Sequence, residues 1–98
     1  MCSRQECISR LTAASEHIKS KYGVKSLLIF GSMARGDNDV NSDVDIYVDM
    51  PAKMFQFIEL KDYLENLLGT EVDVVRKSPL INEILANEIE RDGIRIFS

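Results

Sequence analysis

Apolar residues recur along this chain with two alternating periods, and the change from one to the other marks its elements. Between residues 4 and 22, Ile8, Leu11, Ala14, Ile18 and Tyr22 fall at helical spacing, with Ser3 placed as an N-cap and Gly23 as a stop. Residues 25–30 predict a short strand, whose run Leu27-Leu28-Ile29-Phe30 calls for burial on both faces. A short helix is expected from Ser32, followed by a loop over residues 36–42, where Gly, Asn and Asp gather. Residues 43–49 alternate strictly, Val44, Ile46 and Val48 on one side and Asp43, Asp45, Tyr47 and Asp49 on the other. After Pro51 a long helix carries Phe57, Leu60, Leu64, Leu67 and Leu68 as one stripe and ends at Gly69. Residues 71–76 predict a further strand. Ser78-Pro79 then opens a last helix with Ile81, Ile84, Leu85 and Ile89 as its buried stripe. Gly93 stops it before a strand over residues 94–97. The order α-β-α-β-α-β-α-β predicts a small α/β (α+β) sandwich, a four-stranded sheet packed with helices, as one domain over residues 1–98.

Composition narrows the function classes. The chain has 98 residues, 45% apolar and 29% charged, as expected of one small globular domain. Its net charge of −4 argues against broad binding to nucleic-acid backbones, which rests on clustered Lys and Arg. It leaves room for a nucleotide, since metal ions neutralise phosphates locally. Cys2, Cys7 and His17 make neither a zinc site nor a disulfide framework. No run reaches the roughly 18 apolar residues of a membrane span, and no signal-peptide core precedes the first helix, so a reducing cytoplasm is the expected location.

The candidate chemistry lies in Gly31-Ser32, Asp43-Val44-Asp45 and Asp73. Gly31 lets a phosphate approach the backbone, and Ser32 would open a helix whose free N–H groups favour anions. A plain turn with a serine cap explains the same pair. Asp43 and Asp45 project from one strand face, where divalent cations would relieve their repulsion, although a solvated acidic face has the same pattern. Asp73 stands among Val72, Val74 and Val75, where acids are uncommon. Glu71 shares its face and competes with it. Arg35 suits a triphosphate or an orienting contact to a carboxylate equally. Asp49 reads as a strand-end or capping residue, Lys77 as a surface lysine and His17 as a surface or boundary residue. For these groups to meet, the first two strands must run antiparallel and the third must join the second in parallel, giving a mixed sheet.

Together, Gly31-Ser32-Met33-Ala34-Arg35-Gly36, Ser42-Asp43-Val44-Asp45 and the later Asp73 resemble the signature of the DNA polymerase β-like nucleotidyltransferases, in the short form of the minimal nucleotidyltransferases (MNT). The closing segment from Ile89 to Phe97 is similar to that family's final helix, turn and strand. Met33 departs from it, standing where many relatives carry arginine. The resemblance implies a nucleotidyltransferase fold, two Mg²⁺ ions held by Asp43, Asp45 and Asp73, and ATP as substrate, with Gly31, Ser32 and Arg35 on the nucleotide. Asp73 would also take the proton of the attacking hydroxyl. It further implies a HEPN-domain toxin encoded beside the chain as the acceptor of AMP on a tyrosine, the chain acting as antitoxin. A module that neutralises its partner by occlusion, and the catalytic subunit of a two-chain enzyme acting on a small molecule, are the alternatives. Apolar helix positions left over from the core are available to a homodimer or another partner.

Overall fold

The computed structural model describes residues 4–31, 44–77 and 83–98. Its elements are α1 (Arg4–Ala13), α2 (Ser15–Tyr22), β1 (Ser26–Phe30), β2 (Val44–Asp49), α3 (Met54–Leu68), β3 (Val72–Arg76), α4 (Glu83–Asp92) and β4 (Ile94–Phe97). The Ser3 cap, the short helix from Ser32, the loop over 36–42 and the Ser78-Pro79 start lie outside the described residues.

The four strands form one mixed sheet in the order β3-β2-β1-β4, with β1 antiparallel to β2 and β4, and β2 parallel to β3. Strand alternation assigns the faces. Leu27, Ile29, Val44, Ile46, Val48 and Val72 pack under Leu11, Ile18 and Tyr22 of the first two helices and Leu60, Leu64 and Leu68 of α3, forming the main core. Cys7, which the helical stripe did not single out, is fully buried there as well. Arg10 ties the layer together by donating to the Leu67 carbonyl at 3.1 Å, at the end of α3 where carbonyls lack helical partners. Gly93 is required by proximity: a Cβ there would strike the Ile89 carbonyl oxygen and lie 3.0 Å from that of Ile29.

Two expectations are corrected. The first helix is divided at Ala14, whose φ of −93° and ψ of 2° leave the helical range. Hydrogen bonds nevertheless continue through it, from Ala14 N–H to Arg10 and from Ile18 N–H to Ala14. Ile84 is not in a buried stripe but 69% exposed. The reason is angular: α4 rests on the opposite sheet face through Ile89, packed with Leu28 and Tyr47. Five residues rotate a helix by about 140° from that contact, so Ile84 and Ile89 cannot both face the sheet.

Tyr47 lies on the acidic side of β2 yet is 1% exposed, because α4 covers that half of the face. Among the described residues its buried hydroxyl has no hydrogen-bond partner. Tyr47→Phe is therefore expected to raise stability by about 1 kcal/mol, read as a higher urea midpoint. Burial, then the nearby Glu90 and Asp49 carboxylates, push the Tyr47 hydroxyl above its ordinary value of 10.0. The unfolded chain releases that proton first as pH rises, so this contribution is present below pH 10.0 and lost above it. The Tyr47→Phe variant should lose less stability on crossing that pH than the parent.

Candidate active site

The face of the sheet left open by α4 carries the acidic residues, and strand pairing decides which of them meet. Burying Val44 and Val72 in the helical layer turns Asp45 and Asp73 to the other side. In the parallel ladder Asp45 is the direct Cα partner of Asp73. Adjacent strands lie about 4.8 Å apart, so two carboxylates in one register row are within reach of a shared cation. Three backbone or side-chain contacts pin that row: Val44 N–H donates to the Glu71 carbonyl at 3.2 Å, Lys77 N–H to that of Val48 at 2.7 Å, and Val72 N–H to a Glu65 carboxylate oxygen at 3.2 Å.

On the other flank of β2, Asp45 pairs with Phe30 of β1, and Gly31 follows immediately with a φ of +75°. Gly31, Asp45 and Asp73 thus occupy neighbouring positions across three strands. Ser32, Arg35 and Asp43 lie outside the described residues. Glu71, the competitor of Asp73, is exposed just before β3. Asp49 ends β2 and pairs with Ser26, remote in register from Asp45. Lys77 is at the surface, 4.0 Å from Glu90. His17 is exposed and lies on the opposite layer, its ring 5.1 Å from that of Tyr63.

Among the described residues no group of three potential metal ligands is present; Asp45 and Asp73 make a pair. Carboxylate oxygens are hard donors, suited to Mg²⁺ rather than to metals that prefer thiolate or imidazole. The pair fits such an ion. A feature the alternation pattern did not reveal is the apolar floor beside it, where Phe30 and Val75 pack against Leu28, Tyr47 and Ile89. Only the position of α4 makes that floor visible.

The polymerase β nucleotidyltransferase family model matches residues 14–98. The chain belongs to that family. It is a nucleotidyltransferase, and all four strands fall inside the matched segment. The protein adenylyltransferase MntA of Thermococcus cleftensis is 44% identical over 82 residues, covering 82% of this chain and 83% of that protein. A solved structure assigned as a minimal nucleotidyltransferase superposes with a TM-score of 0.80 at 27% identity, over 95% of both chains. A complex of a tri-AMPylated Shewanella oneidensis HEPN toxin with its MNT antitoxin shares the fold, with a TM-score of 0.66 at 18% identity over 97% of this chain and 72% of that one. No helix among the described residues is long and apolar enough to cross a membrane.

Proposed function

We propose that this nucleotidyltransferase moves AMP from ATP to a tyrosine hydroxyl of a HEPN-type partner in the presence of Mg²⁺, and so acts as an antitoxin. The observation that carries the reading is the Asp45–Asp73 register row beside Gly31. It is supported by likeness to a named protein adenylyltransferase and to an antitoxin bound to an AMPylated HEPN toxin.

In this reading Asp43, Asp45 and Asp73 would hold two Mg²⁺ ions, and Gly31, Ser32 and Arg35 would hold the triphosphate. When bound, the ions supply charge stabilisation to the entering and leaving oxygens. Asp73 accepts the hydroxyl proton as that oxygen attacks the α-phosphorus. The new P–O bond forms as the bond to the β-phosphate oxygen breaks, and pyrophosphate leaves. The rest is positioning: a rigid sheet presents the acids, and the glycine turn presents the phosphates beside them.

The test is to incubate the purified chain with ATP, Mg²⁺ and the HEPN-type protein encoded beside it, and to weigh the partner. The expected result is the mass of one or more AMP groups on a tyrosine, abolished by EDTA and restored by excess Mg²⁺. An unchanged partner mass overturns the proposal. Neutralisation of that partner by an Asp43→Ala/Asp45→Ala double variant would instead favour occlusion.

A further inference from the structure

We infer that Gly31 positions the Asp45 carboxylate: its missing side chain makes room for that group, in addition to any approach of phosphate. An ideal Cβ at Gly31 would overlap Asp45 Oδ2, and would lie 3.2 Å from Cγ and 3.5 Å from Cβ of the same residue. The Asp45 carboxylate therefore lies back across the end of β1, against the Gly31 backbone. Two separate demands meet at this position. The φ of +75° favours glycine but is also accessible to asparagine. The space demand admits no side chain at all unless Asp45 moves.

Asp45 has Gly31 on its β1 flank and its register partner Asp73 on its β3 flank. A side chain at position 31 would push the carboxylate out of this place, disturbing the proposed metal-binding row without replacing either of its carboxylates. The consequence for metal binding rests on the proposed nucleotidyl-transfer site; the packing itself does not.

The experiment is a double-mutant cycle in thermal and urea denaturation, using Gly31→Ala, Asp45→Ala and the two combined, with Gly31→Asn as a control for backbone conformation. Asp45→Ala keeps only the Cβ, an ordinary contact at 3.5 Å. Gly31→Ala should lower the midpoint, and do so by measurably less in the Asp45→Ala background, where only the cost of the positive φ remains. Should Gly31→Ala fail to fold, the combined variant is expected to fold. Gly31→Asn should lose less than Gly31→Ala, because it tolerates positive φ, yet remain clearly less stable than the parent. Additive losses, an unfolded double variant, or a Gly31→Asn variant as stable as the parent would each overturn the inference. Failure to find AMP transfer would leave this cycle standing, so the two proposals fail separately. A calorimetric titration with Mn²⁺ alone adds a second readout: at least tenfold weaker binding by Gly31→Asn is expected, and unchanged binding contradicts the positioning role.

Discussion

Asp45→Asn and Asp73→Asn should each cut kcat by about 10³-fold, roughly 4 kcal/mol of barrier, while leaving the protein at least as stable as before. The two halves of this expectation come from one arrangement. Asp45 and Asp73 are Cα partners in adjacent parallel strands, with side chains on the same face. Without a cation, like charges in such a row repel, so neutralising either one should gain up to about 1 kcal/mol. With a cation the same pair becomes a binding site, and Mg²⁺ should raise the melting temperature of the parent but not of either variant. Loss of activity with a higher melting temperature is the signature of a site; loss of both would point to a structural role. Single-turnover transfer and a melting curve with and without Mg²⁺ check the prediction together.

The largest stability effect is expected from Leu64→Ala. Leu64 is fully buried in the middle of the α3 stripe, over the same core as Ile46 and Val44. Truncation removes its transfer energy and leaves a cavity, at a cost of about 3 kcal/mol. A domain of this length has only about 5–15 kcal/mol in hand, so the variant should be marginal at physiological temperature. Ile84→Ala, on the outer face of α4, should change stability by no more than about 0.5 kcal/mol. Chemical denaturation of the two variants beside the parent separates them directly.

These two positions also show what the sequence could and could not convey. Both belong to apolar stripes of helical period, but a period states only that one side of a helix is apolar, not which residues find a partner. Leu64 belongs to a layer of three helices packed on one face of the sheet; among the described residues α4 is the one helix on the other face and rests on it through Ile89. The same isolation hid the burial of Tyr47, which alternation placed correctly on the acidic side but without its cover. Strand directions were legible because the Gly31 turn closes β1, Asp45 sits near the start of β2, and Asp73 early in β3. One sheet can bring these together only with an antiparallel and then a parallel neighbour, the pairing observed. The contact between Gly31 and Asp45 was not legible: it depends on how the Asp45 side chain leans, which no spacing encodes.

The proposed chemistry requires Asp45 and Asp73 to share a divalent cation beside Gly31. A crystal of the protein grown with Mn²⁺ and a non-hydrolysable ATP analogue, measured for anomalous scattering, tests it most directly. An anomalous peak is expected within coordination distance of both carboxylates, with the analogue's phosphates next to Gly31. Manganese bound elsewhere, or a peak in which Asp73 takes no part, would contradict it.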